Sequence, residues 1–243
     1  LRRAKLLTSV ELIGKTDAEL RSLATSDPES LNPAELLYAA TLFEGLDDQL
    51  EIYESFVDIY PNDWRGPNNV GYVLVKQNEY DEAKPHFEKA ESLKNDEPVI
   101  KNNLGAVALY EENIEKADTL LGAASGAGEE VNYNLGIVKI KQANYDQAVR
   151  YFGDFAGPNP ALAQILSGNN NGALKDLEAF DNPKCFMKPY LKAIIGARTA
   201  KENMMYESLE EAIEINSDMK QKAKTDMEFA EYFIEPKFQS VVE

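Results

Sequence analysis

Apolar positions between residues 64 and 158 recur at helical spacing, and the recurrence itself repeats three times. Asn68-Asn69-Val70-Gly71 is followed by Tyr80-Asp81-Glu82-Ala83, then Phe87 and Ala90. Asn102-Asn103-Leu104-Gly105 is followed by Ile114-Glu115-Lys116-Ala117, then Leu121 and Ala124. Tyr133-Asn134-Leu135-Gly136 is followed by Tyr145-Asp146-Gln147-Ala148, then Phe152. In each block Ala follows Gly by 12 residues and a large apolar residue follows it by 16; successive Gly residues are 34 and 31 apart. Each block reads as two amphipathic helices joined at a polar connection: Asn78-Glu79, Glu112-Asn113 and Ala143-Asn144. A mid-helix Gly costs about 1 kcal/mol relative to Ala, so it is expected where a second helix comes close. The spacing predicts that Gly and the Ala 12 residues on face each other, with Phe87, Leu121 or Phe152 filling the space beside them.

Weaker copies flank this core. Asn32-Pro33-Ala34-Glu35 opens a helix through Leu36, Leu37, Ala40 and Leu42, and a second helix runs from about Asp47 to Tyr60, stopped by Pro61. Downstream, Pro160 to Leu166 and Ala173 to Phe180 form a shortened pair. Tyr190 to Ala197 and Met204 to Ala212 form another, in which Ala193 replaces Gly and Met205 stands where Ala is expected. That pair should be splayed or shifted. The domain expectation is a partly helical arm at 1–29, with a short capped helix near Thr16 to Leu23, and a helical-repeat domain at 30–243. Its clear repeats are 64–97, 98–128 and 129–158. Its degenerate repeats are 30–63, 159–185 and 186–218, and an amphipathic capping helix covers 219–233. Pro85 is expected in a first helical turn, where a missing N–H costs little. The only β-branched cluster of note, Val70 to Val75, lies inside a repeat, and no strand is predicted. The fold expected is all-α: a right-handed superhelix, or α-solenoid, of about five helix hairpins over 32–216.

Composition narrows the chemistry. The chain has 243 residues, 42 acidic against 25 basic side chains, and a net charge of −17. That charge argues against duplex nucleic acid and against docking on an anionic membrane. No apolar run reaches the length of a membrane-spanning helix. One Cys (Cys185) and one His (His86) exclude an intramolecular disulfide and multi-Cys or multi-His metal sites. His86 is expected on an outer face, and Cys185 as packing. Gly126-Ala127-Gly128 and Gly14-Lys15-Thr16 resemble fragments of phosphate loops, but no strand precedes either, and both read as connections.

A 34-residue period of two helices, with these small and large positions, resembles the tetratricopeptide repeat. Lys101 to Leu109, Leu120 to Gly128, Val131 to Gly136, Tyr190 to Thr199 and Lys222 to Phe233 further resemble tetratricopeptide regions of cell-envelope proteins from Bacteroides-type bacteria, over roughly residues 30 to 240. The resemblance implies a bacterial envelope location, periplasmic or outer-membrane associated, and a chain that begins at Leu1 as the later part of a longer exported protein. The lack of disulfides fits the cytoplasm equally, which stays open as the alternative.

In this repeat the first helix of each pair lines a concave groove. Asn69, Asn103 and Asn134, each two residues before the Gly, could hold a peptide backbone through donor and acceptor together. The same amides could instead satisfy groups within the helix pairs, and both roles stay open. Arg65, Asn68, Tyr72, Lys76, Asn102, Tyr110, Tyr133 and Lys141 complete the expected peptide-binding groove. The positions that clamp a C-terminal carboxylate in chaperone-binding repeats are Asn68 and Tyr72 here, which does not support that specialised role. The functional expectation is a non-catalytic scaffold that presents a groove to a protein or peptide, with no cofactor, metal or catalytic residue. The alternative is a structural spacer or subunit of an envelope assembly, used through its convex face or ends.

Overall fold

The computed structural model describes residues 14–243; the first half of the expected arm therefore lies outside the described residues. The chain forms helices α1 (Asp17–Ser26), α2 (Pro33–Thr41), α3 (Leu46–Ile59), α4 (Arg65–Lys76), α5 (Tyr80–Leu93) and α6 (Pro98–Tyr110). It continues with α7 (Ile114–Gly122), α8 (Glu130–Lys141), α9 (Tyr145–Phe152), α10 (Pro158–Leu166), α11 (Asn170–Ala179), α12 (Met187–Arg198) and α13 (Glu202–Ile215). Two short helices, α14 (Met219–Ala223) and α15 (Pro236–Val242), close the chain, and 3-10 turns occupy Pro28–Ser30 and Met227–Tyr232. There is no strand among the described residues. The chain divides into two compact units, one ending at Glu111 and one beginning at Glu112.

Local chemistry sets the helix boundaries. Thr16 caps α1 and Glu19 reaches back to the Thr16 backbone N–H, a reciprocal capping box; Asn32 and Glu35 do the same for α2, with Pro33 in the first turn. The turns inside the repeats share one device. Asn78, Glu112, Ala143 and Ala200 have φ of 66°, 57°, 57° and 53°, and Gly168 has 86°. Each stands seven residues after a small residue of the preceding helix: Gly71, Gly105, Gly136, Ala193 and Ala161. This common turn places α10 and α12 in the same register as the clear repeats. Pro85 falls in the second turn of α5 rather than the first. Its missing N–H therefore leaves the Asp81 carbonyl without its helical donor, at a position where Asp81 is exposed to water.

In the first unit, α2 packs on α3, α3 on α4, α4 on α5 and α5 on α6. Phe56, Phe87, Leu36, Ile100 and Val73 form its apolar interior. In the second unit, α8 pairs with α9, α10 with α11 and α12 with α13. The Gly positions work differently from the spacing argument. A Cβ on Gly71 would meet the Phe87 ring at 2.7 Å, and one on Gly136 would meet the Phe152 ring at 2.6 Å. The residue 16 positions on, not the Ala at 12, covers the glycine. Ala83 and Ala148 are fully buried in the same helix pairs. In the α12–α13 pair the closest approach shifts by one turn, to Gly196, where a Cβ would stand 2.6 Å from the Met205 backbone nitrogen. Met205 is thereby accommodated without splaying, and is itself fully buried.

The C-terminal segment is not one helix over 219–233. It breaks into α14, the 3-10 turn and α15, and its apolar residues Met219, Ala223, Phe229, Tyr232, Phe238 and Val242 join the core of α12 and α13. Asp226 caps the 3-10 turn by accepting from the Glu228 N–H.

Candidate functional site

On the first unit, α4 and α6 carry a directed chain of amides. Asn102 Nδ2 donates to Asn103 Oδ1 at 3.3 Å, Asn103 Nδ2 to Asn68 Oδ1 at 2.9 Å, and Asn68 Nδ2 to Asn69 Oδ1 at 3.1 Å. Asn69 in turn hydrogen-bonds the hydroxyl of Tyr53 on α3; burial pushes that phenol up, and the Asn69 bond opposes the shift. Asn68 is buried at 6% exposure, whereas Asn69, Asn102 and Asn103 are half-buried. These amides thus pair with one another between α4 and α6. Asn68 ties α6 to α4 from within, and Asn69 and Asn103 keep part of their surface toward solvent.

Beside this chain Tyr72 is 48% exposed. The Lys76 ammonium lies 5.9 Å from the centre of its ring and enters no ion pair among the described residues. Tyr38, 34 residues before Tyr72, is equally exposed, with its hydroxyl on Asp17 at 3.2 Å. Sequence reasoning passed over Tyr38, although the repeat period points to it. Tyr110 is exposed but stacks flat on Tyr80, with ring centres 4.3 Å apart.

Three expected groove residues are otherwise engaged. Arg65 forms a two-pronged contact with Asp63, Nε to Oδ1 at 2.9 Å and Nη2 to Oδ2 at 2.5 Å, and this pairing holds the Asp63 carboxyl below its usual range. Arg65 lines an open cleft with Trp64, Tyr60 and Lys94. In the second unit Tyr133 packs edge-on against Phe152 and Phe155 and accepts from Asn159 Nδ2 at 3.1 Å. Lys141 is exposed, 3.7 Å from Glu112, and Asn134 is half-buried on α8.

His86 is half-buried. Burial pushes its imidazole down, while the Glu54 carboxylate on α3 opposes this. Cys185 is half-buried between α11 and α12. Among the described residues no His, Cys, Asp and Glu are grouped to hold a metal ion, and no helix is long and apolar enough to cross a membrane.

Residues 68–97 match the family model described as tetratricopeptide repeat. The chain carries the tetratricopeptide repeat. Solved structures of several proteins share its fold. A chain of the APC/C hetero-tetramer Cut9-Hcn1 superposes with a TM-score of 0.69 and 12% identity, over 92% of this chain and 45% of that one. A tetratricopeptide repeat protein from Parabacteroides merdae gives 0.60 and 15%, over 84% and 88%. PilF of Pseudomonas aeruginosa gives 0.55 and 16%, over 90% and 98%. The chain thus spans less than half of the Cut9-Hcn1 chain. No curated protein matches it by sequence. At these identities the likeness concerns the fold: all-α helix hairpins of tetratricopeptide type. Such a fold serves protein–protein interaction in general.

Proposed function

We propose that this chain is a non-catalytic tetratricopeptide scaffold that holds an extended segment of a partner protein on the α4–α6 face of its first unit. The observation that carries this reading is the grouping of half-exposed Asn69 and Asn103 with exposed Tyr72 and Lys76. Each of these amides still has a second N–H and a second lone pair beyond the internal chain, the two groups that a peptide unit needs. Tyr72 adds contact area at small entropic cost, and Lys76 favours a segment with an acidic side chain. The resemblance to Bacteroides-type envelope proteins supports an envelope location.

The test is capture of partners from the native envelope on the immobilised chain, read by mass spectrometry, with the Asn69→Ala/Asn103→Ala/Tyr72→Ala variant alongside. Losing each amide contact should weaken binding by about 0.5–1.5 kcal/mol, so the triple variant should lose at least about tenfold in affinity while remaining helical. Retention of the same partners at unchanged affinity by the folded variant would remove this face from consideration.

A further inference from the structure

The exposed aromatic side chains among the described residues are three tyrosines, and all three stand on alternate helices of the first unit. Tyr38 on α2 is 49% exposed, Tyr72 on α4 48% and Tyr110 on α6 52%. Every other Phe, Tyr and Trp among the described residues is buried or half-buried. Tyr38 and Tyr72 are one 34-residue period apart, and Tyr110 stands one turn beyond Ala106, the position that a further period gives. Burying an aromatic ring removes a large apolar area from water, so rings left open on successive first helices mark a surface for a ligand.

Neighbours hold these rings in place. The Tyr38 hydroxyl donates to Asp17 at 3.2 Å, Tyr110 stacks on Tyr80, and the Lys76 ammonium lies 5.9 Å from the centre of the Tyr72 ring. A ring fixed beforehand loses little freedom when a ligand settles on it. The Asn103–Asn68 hydrogen bond at 2.9 Å joins α6 directly to α4, and α2 and α4 both pack on α3. Helices in direct contact have axes about 8–10 Å apart. A polyproline II chain has three residues per turn and rises about 3.1 Å per residue, so the same face returns after about 9 Å. One turn of such a ligand therefore matches one step from helix to helix. A β-strand returns to the same face after two residues, about 6.7 Å, and falls out of step.

We infer, resting on the peptide-binding face proposed above, that the partner segment held there is proline-rich and in the polyproline II conformation, and that it lies across α2, α4 and α6 with a carboxylate beside Lys76. Prolines at every third position set their rings on Tyr38, Tyr72 and Tyr110, the way aromatic-lined grooves receive Pro-x-x-Pro segments. Proline has no N–H, so such a backbone offers mainly carbonyl acceptors. The remaining N–H of Asn69 and of Asn103 donates to these carbonyls, and the amide oxygens accept from the residues between prolines. The Lys76 ammonium enters no ion pair among the described residues, so a single carboxylate in the segment supplies its counter-charge.

The probe is a labelled peptide of four Pro-Pro-Ala triplets followed by one Asp, whose fluorescence anisotropy is titrated with the full chain. A peptide with Thr in place of every Pro keeps the length and charge and lacks the polyproline turn. The proline peptide should bind saturably, and at least about tenfold more tightly than the Thr peptide. Tyr38→Ala and Tyr110→Ala should each weaken it roughly fivefold with unchanged circular dichroism, whereas Tyr38→Phe, which keeps the ring, should stay within about twofold of the wild type. No saturation by about 1 mM, equal affinity for the Thr peptide, or full affinity in both alanine variants would overturn the proposal. If the proline peptide fails while partners captured from the envelope still depend on Asn69, Asn103 and Tyr72, the face stands and the proline-rich segment is rejected. If neither the peptide nor the captured partners depend on these residues, both are rejected.

Discussion

The ring of Phe87 lies directly over Gly71, so close that a Cβ on Gly71 would stand 2.7 Å from the ring carbon Cε1. Phe152 lies over Gly136 in the same way. Each ring is nearly or wholly buried, so it has no free space into which to retreat.

Gly71→Leu should therefore destabilise the chain by about 1–3 kcal/mol or more, through overpacking against a buried ring. Gly122, the last residue of α7, has nothing within 4 Å of its would-be Cβ. Gly122→Ala should instead be neutral or stabilise by about 0.5–1 kcal/mol. Urea unfolding of the two variants side by side separates a glycine required by contact from one that is not.

The turns offer the opposite substitution. Ala143 and Ala200 occupy positive φ, where an L side chain costs about 1–2 kcal/mol. Part of the gain from removing that side chain is offset by the greater freedom of Gly in the unfolded chain. Ala143→Gly and Ala200→Gly should each stabilise by up to about 1 kcal/mol, and Ala143→Val should destabilise. Calorimetric melting temperatures check the order.

Asn68 bridges Asn103 and Asn69 from a buried position. Asn68→Ala leaves a donor and an acceptor of its neighbours without their partners and should cost about 1–3 kcal/mol. Asn69→Ala, at a half-exposed site where water can replace the amide, should cost less. If both variants unfold at the wild-type urea midpoint, the amide chain is not what ties α6 to α4.

Alkali should loosen the second unit. Burial and the facing carboxylates Asp226 and Glu235 push the hydroxyls of Tyr190 and Tyr206 well above the usual phenol range. The unfolded chain releases these protons near the ordinary value of about 10, while the folded chain still holds them. Stability is thus fully present below about pH 10 and falls as pH rises beyond it. Circular dichroism and phenolate absorbance should change together in that range. Tyr190→Phe/Tyr206→Phe should flatten the alkaline loss while lowering stability at neutral pH, since two charge-assisted hydrogen bonds disappear.

The repeat, its helices and its turn positions were legible in the sequence because they rest on local chemistry and on periodicity. Gly, Ala and a large apolar residue at 12 and 16, together with Asn and Pro at helix starts, act within one helix pair. The degenerate pair at 159–185 was legible as helices but not in register, since Ala161 and Gly168 replace the usual markers. Other features depended on which side chains meet across helices. Nothing in the spacing says that Phe87 rather than Ala83 covers Gly71, or that Gly196 takes over the contact opposite Met205. Adjacent asparagines could equally face water or one another. Only the packing of α6 on the first unit turned Asn68 inward and left Asn69 and Asn103 half-exposed. The break of the last segment into α14, a 3-10 turn and α15 was likewise set by tertiary contacts. Phe229, Phe238 and Val242 are buried in one core with side chains of the α12–α13 pair, a set of contacts that no local spacing encodes.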